Sequence, residues 1–128
     1  MSKNTALQRL AAALSLLAIP SLALAHHGWS EYDASQALTL TGTIESSGYE
    51  HPHGYIRLAV PGYVKLVTPG KTWTAVLAPP SRMDNRGLTR DMLKPGTTVT
   101  VVGYPNRNQP EEMRAERITV AGKTVELR

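Results

Sequence analysis

The sequence feature that most constrains the fold is a series of short apolar segments, each of which ends within a few residues at Pro or Gly. Residues 38–44 alternate strictly between apolar and polar side chains, which is the pattern of a strand that buries one face. Residues 97–104 are rich in Val and Thr and stop at Pro105, as a buried strand does. The segments are too short for typical helices, so the sequence predicts an all-β domain.

One short helix interrupts this series. Ser81 is a candidate N-cap for a helix that runs to Arg86, and Gly87 is suited to end it. Thr89 can cap one further turn through Leu93. The order of three strands, a short helix and two strands predicts an OB-fold-like, five-stranded Greek-key barrel, the alternative being a split sheet with a loosely packed helix. The expected core contains Leu40, Ile44, Leu77, Val99, Val101 and Ile118.

A local repeat of eight residues follows the first strand. Residues 55–62 and 63–70 carry Tyr, Leu, Pro and Gly at the same offsets. Because an even period keeps the same side chains on one face of a sheet, the second copy predicts an extra strand or hairpin on the barrel. Gly42 within the first strand predicts a bend or bulge. Residues 51–54 have Pro second and Gly fourth, which predicts a type I turn.

The N-terminus has the pattern of a secretory signal. Lys3 and Arg9 form a basic start that is followed by an apolar stretch. An Ala-x-Ala site at 23–25 favours cleavage that leaves His26 as the first residue. The apolar stretch is too short to anchor the protein in a bilayer, so we expect a periplasmic or secreted protein without a membrane anchor after processing. The predicted divisions are a signal peptide at residues 1–25, an arm at 26–37 and a barrel domain at 38–128.

Composition excludes several classes of function. The formal net charge is +4, but Lys3 and Arg9 belong to the signal, so the processed domain is nearly neutral and we expect no nucleic-acid partner. The chain contains no Cys, which excludes disulfides and thiolate sites. No hydrolytic triad or phosphate loop is recognisable, so we expect a protein that is not an enzyme. A copper-dependent oxidase that uses the terminal histidine is the enzymatic alternative.

The four histidines suggest a metal site. The amine and Nδ1 of a terminal His26 can close a chelate ring on one ion, and His27, His51 or His53 can supply a further imidazole. In the predicted turn the side chains of His51 and His53 diverge, which favours His53 as the partner of the arm. Imidazole suits copper and zinc, and the order of affinities among divalent ions favours copper. The sequence therefore predicts a small binding protein for copper, with zinc as the second choice.

The alternative is a metal-free OB-type module that binds or stabilises an oligosaccharide, a peptide or an anionic ligand. Trp29 and Tyr32 lie beside the terminal histidines and are candidate cofactor-binding residues, because aromatic rings can stack over a bound cation. The competing interpretation is that they anchor the arm to the barrel. Arg82, Arg86 and Arg90 recur every four residues, which indicates either a basic face or a solvated surface.

Four motifs carry a resemblance to a known family: HHGWSEY at 26–32, HPHG at 51–54, WTAVLAPPSRM at 73–83 and TVTVVGYP at 98–105. On these residues the chain resembles a family of small exported bacterial proteins that carries a domain-of-unknown-function label. The resemblance implies an exported location and an OB-like fold more than an activity. The chain is more loosely similar to periplasmic copper chaperones with an OB barrel, but their Met-x-Met ligand pair is absent, and Met83, Met92 and Met113 are scattered.

Processing gives the first testable prediction. The intact mass of the exported protein should correspond to a chain that starts at His26, because Ala25 completes the cleavage site. A start at Ala25 or His27 would contradict the terminal chelate and leave the fold prediction unchanged.

Overall fold

A computed structural model describes residues 28–62 and 70–128 of the protein. The predicted signal, His26, His27 and most of the second copy of the repeat lie outside the described residues. The arm begins with a 3-10 turn at Trp29–Glu31, and a second 3-10 turn lies at Arg90–Leu93. The regular elements are β1 (Leu38–Gly48), β2 (Tyr55–Val60), β3 (Lys71–Val76), α1 (Pro80–Asn85), β4 (Thr98–Pro105), β5 (Glu112–Val120) and β6 (Lys123–Glu126).

The first five strands form a closed barrel in the order β3-β2-β1-β4-β5. Neighbouring strands are antiparallel, and the barrel closes through a parallel pairing of residues 74–76 of β3 with residues 112–114 of β5. The predicted small all-β barrel of OB type is therefore confirmed, and the split sheet is excluded. One further strand, β6, pairs with β5 outside the barrel. The predicted extra strand from the repeat falls on residues 63–69, which are not described.

The barrel interior holds the predicted core. Ile44, Leu77, Val99, Val101 and Ile118 are all buried, whereas Leu40 is half-buried and packs against them. The alternation along β4 explains this result, because every second side chain of a strand points to the same face. Val101 pairs with Ile118 of β5, so the two strands contribute neighbouring side chains to one layer of the core.

The bulge in β1 lies at Glu45, not at the predicted Gly42. The register with β2 shifts between Ile44 and Ser46, which leaves Glu45 as the extra residue. Gly42 pairs regularly with Val99. It is required for another reason, since a Cβ at this position would collide with the backbone carbonyl of Ala59 on the neighbouring strand.

Helix α1 begins two residues earlier than the sequence suggested, at Pro80. Pro79 occupies the N-cap position and no side chain caps the helix, so the predicted cap by Ser81 is wrong. Pro80 explains the shift, because proline has the φ angle of the first helical position and lacks an N–H that would need a partner there. Gly87 has a φ of +81° and follows the helix as predicted. Among the described residues, no helix is long and apolar enough to cross a bilayer.

The connection between β1 and β2 also differs from the prediction. In a hydrogen-bonded type I turn the Gly54 N–H would reach back to His51. It donates instead to the carbonyl of Ala78 at 2.9 Å, and the Leu77 N–H donates to the Gly54 carbonyl at 2.8 Å. The bond between His51 and Pro52 is cis. A hydrogen-bonded type I turn is therefore not formed, because the loop makes its hydrogen bonds with the chain beyond β3.

Core packing generates the second prediction. Ile118 is fully buried, so Ile118→Ala should lower the free energy of unfolding by about 2–5 kcal/mol, as measured by urea denaturation. Thr39→Ala, on the exposed face of β1, is the control and should change it by less than about 0.5 kcal/mol. Equal effects of the two substitutions would show that the inward and outward faces are assigned incorrectly.

Candidate functional site

The N-terminal arm folds back onto the barrel and docks at the loop between β4 and β5. The Asp33 N–H donates to the carbonyl of Pro105 at 2.8 Å, and the Arg107 N–H donates to the carbonyl of Glu31 at 2.9 Å. Between these bonds Tyr32 forms an isolated bridge with Asn106 and is only 3% exposed. Backbone hydrogen bonds on both sides of Tyr32 therefore fix the arm in one register.

Trp29 anchors the start of the described arm. The guanidinium carbon of Arg114 lies 4.2 Å from the centre of the Trp29 ring, and that of Arg128 lies 4.6 Å from it. The edge of Tyr104 completes the contact at a centroid distance of 6.3 Å. A guanidinium this close to an indole is attracted by the negative face of the ring. These contacts explain how Trp29 anchors the arm to the barrel. The role of Trp29 in ligand binding stays a prediction.

Arg114 connects the arm to His53. Its side chain is 6% exposed, and its Nη2 lies 3.2 Å from Nε2 of His53. A guanidinium can only donate, so Nε2 of the neutral imidazole acts as the acceptor and the ring proton lies on Nδ1. Burial lowers the pKa of Arg114, and the neighbouring Arg82 and Arg128 lower that pKa further, against the opposite effect of Tyr32. One buried cation thus contacts both a predicted metal ligand and the anchor of the arm.

A pocket of about 220 Å³ opens beside this contact, between the β1–β2 loop, β3 and the first residue of β5. Its lining consists of Pro52, His53, Gly54, Tyr55, Thr74, Val76 and Glu112. The pocket brings an imidazole and a carboxylate together, although His53 and Glu112 are far apart in the sequence. No local motif marks Glu112, because only the closure of the barrel brings β5 next to the β1–β2 loop.

The Glu112 carboxylate is held in place by two polar side chains. Nδ2 of Asn106 donates to Oε2 of Glu112 at 2.7 Å, and the hydroxyl of Tyr32 donates to the same oxygen at 3.4 Å. Burial raises the pKa of Tyr32, and the charge of Glu112 raises that pKa further, so the phenol stays protonated and acts as the donor. Tyr32 is thus a partner of a pocket residue. Asn106 is a second residue that the sequence alone did not indicate.

The predicted histidines have different outcomes. His53 lies in the pocket, whereas His51 is exposed and is not part of its lining. His26 and His27 fall outside the described residues, so their participation stays a prediction. Within residues 28–62 and 70–128, no group of three or more His, Asp or Glu side chains is arranged to hold a metal ion.

The three regularly spaced arginines make three different contacts. Arg82 donates to the carbonyl of Leu127 at 3.2 Å, and Arg86 donates to the carbonyl of Glu126 at 2.7 Å. Arg90 instead lies over the ring of Tyr49 at 5.5 Å. Of the two alternatives, the single basic face is excluded, because the helix ends before Arg90 and the first two side chains turn towards the chain at the end of β6.

Comparisons with known proteins give a family and a distant structural likeness. A model of a family of unknown function, DUF6152, matches residues 13–113. The crystal structure of TiaS in complex with a tRNA and ATP matches with a TM-score of 0.47 and 15% sequence identity, over 76% of this chain and 20% of that chain. A likeness at this level carries no information on function. No curated protein matches the chain.

The docked arm generates the third prediction. Trp29→Ala removes both guanidinium contacts, which are worth about 0.5–2 kcal/mol, so the amides of Asp33 and Arg107 should exchange hydrogen about 2- to 30-fold faster. The amide of Val101 in β4 is the internal reference and should be unaffected. Unchanged exchange of Asp33 and Arg107 would show that backbone hydrogen bonds alone hold the arm.

Proposed function

The chain belongs to the DUF6152 family of unknown function, and we propose that it is an exported binding protein that holds copper beside the pocket of His53 and Glu112. The observation that supports this proposal most is that Trp29 and His53 contact the same side chain, Arg114. His26 precedes Trp29 by three positions, and three extended residues span at most about 10 Å. We propose that this segment brings a processed His26 to His53.

The donor set fits copper better than the other common ions. The amine and Nδ1 of His26 provide a chelate, His53 adds an imidazole, His27 is a further nitrogen donor and Glu112 an oxygen donor. Nitrogen donors favour Cu(II) over Zn(II) in the general order of affinities, so zinc is the second choice. Asn106 and Tyr32 orient the carboxylate, as outer partners of metal ligands commonly do. We propose binding rather than catalysis.

A specific observation favours a second candidate function. The Arg114 guanidinium is 3.2 Å from Nε2 of His53, so a metal at that nitrogen would have to displace a cation. The pocket also has apolar walls in Tyr55 and Val76 beside its polar groups. These features suit a metal-free OB-type module that binds part of an oligosaccharide, a peptide or an anionic ligand.

Titration of the processed protein with Cu(II) distinguishes the two functions, and this is the fourth prediction. His53→Ala should weaken binding by roughly 10- to 100-fold, which is less than the loss expected for His26→Ala, because Arg114 opposes a metal at His53. An additional residue before His26 should be as damaging as His26→Ala, because both destroy the same chelate ring. His51→Ala is the matched control, since it removes an exposed imidazole two positions away, and it should change affinity far less.

The pH dependence provides an independent check on the same ligands. Copper must displace protons from groups with reference pKa values of about 6.5 for imidazole and about 7.7–8.0 for an α-amine, so affinity should fall in mild acid. Native-like affinity of the extended-terminus variant would reject the copper proposal. Thermal shifts with oligosaccharides and peptides, compared between the native protein and Tyr55→Ala, would then test the metal-free function.

A further inference from the structure

Two arginines from different parts of the chain contact Trp29, and a third donates to the residue beside one of them. Arg114 of β5 and Arg128 after β6 contact the same indole ring, with guanidinium carbons 4.2 and 4.6 Å from its centre. Arg82 of α1 donates to the carbonyl of Leu127, the residue before Arg128. The docking of the arm and the position of α1 against the end of β6 therefore create a local concentration of positive charge.

This concentration opposes the stability of the folded chain unless negative charge is near. Arg114 is 6% exposed, and its guanidinium shares the Trp29 ring with that of Arg128, so the two cations lie close enough to repel each other. The Trp29 ring offsets part of this repulsion. The Glu116 carboxylate also lies close to the cluster, 3.9 Å from Nη1 of Arg128. A bound anion would reduce the remaining repulsion.

We propose that Arg82, Arg114 and Arg128 form a binding site for a small oxyanion, a phosphate or carboxylate group, on the outside of the barrel next to Trp29. Guanidinium groups bind such anions with paired N–H donors. Solvent can reach the site through Arg128, whose side chain is 56% exposed, whereas Arg114 is buried. The site is proposed for the metal-free protein, because Arg114 also contacts His53 of the proposed copper site.

The test is thermal unfolding and calorimetric titration of the processed, metal-free protein with inorganic phosphate and, separately, with citrate. Ionic strength is held constant with sodium chloride, because exposed charges respond to salt alone. A ligand of the folded state raises the melting temperature with increasing concentration. Phosphate and citrate distinguish the two kinds of oxyanion, and a response to at least one of them beyond the chloride control is expected.

The substitutions Arg128→Gln and Arg82→Gln should each weaken anion binding about tenfold or more, as expected for the loss of a charge-assisted hydrogen bond. Arg90→Gln is the matched control, because it removes the same charge from an arginine that contacts Tyr49 instead. If Arg82→Gln does not fold, the affinity of Arg128→Gln alone tests the proposal, since the exposed Arg128 side chain lies on the surface over Trp29. Equal affinities in Arg128→Gln and Arg90→Gln, or no response beyond chloride, would overturn the proposal.

Discussion

The structure depends on one short pairing, the three-residue parallel ladder between β3 and β5. Residues 74–76 meet residues 112–114 there, and this contact closes the barrel. Because successive side chains of a strand point to opposite faces, the buried Met113 leaves Glu112 and Arg114 on the other face. The pairing that completes the core therefore also brings a carboxylate to the pocket and a guanidinium to the arm.

The arm is held by two kinds of interaction with different selectivity. Its backbone hydrogen bonds to Pro105 and Arg107 require only an extended segment of the correct register. The contacts of Trp29 require specific side chains, because a planar guanidinium can lie on an aromatic ring and still donate in its own plane. Arg114 uses this property to contact Trp29 and His53 at the same time. A lysine has no planar group with which to make both contacts.

Local sequence patterns predicted the barrel. The features that these patterns did not predict depend mostly on long-range contacts. The presence of β1 and β4 and the burial of Val99, Val101 and Ile118 follow from patterns within single segments, so the sequence was sufficient for them. The turn at residues 51–54 could not be predicted, because its hydrogen bonds are made with residues 77 and 78. The bulge at Glu45 likewise depends on the register with β2.

The candidate site was predictable only in part for the same reason. His53 is identifiable as one of four histidines in a chain without cysteine. Its neighbours Glu112 and Arg114 are about sixty residues away and carry no local motif that marks them. Asn106 lies in a polar loop, where an asparagine is common for reasons of turn geometry alone. The barrel pairing and the docked arm bring these residues together, and neither can be read from spacing.

The contact between Arg114 and His53 determines what kind of ligand the pocket can hold. While Nε2 accepts from the guanidinium, only Nδ1 is available to exchange its proton for a metal, and the neighbouring cation opposes that exchange. In the proposed copper site the terminal amine and imidazole of His26 would then supply most of the affinity, because a chelate from one residue needs no bond to His53. A neutral or polar ligand faces no such opposition. In the copper site that we propose, the electrostatics of one arginine therefore make the processed N-terminus a stronger ligand than His53.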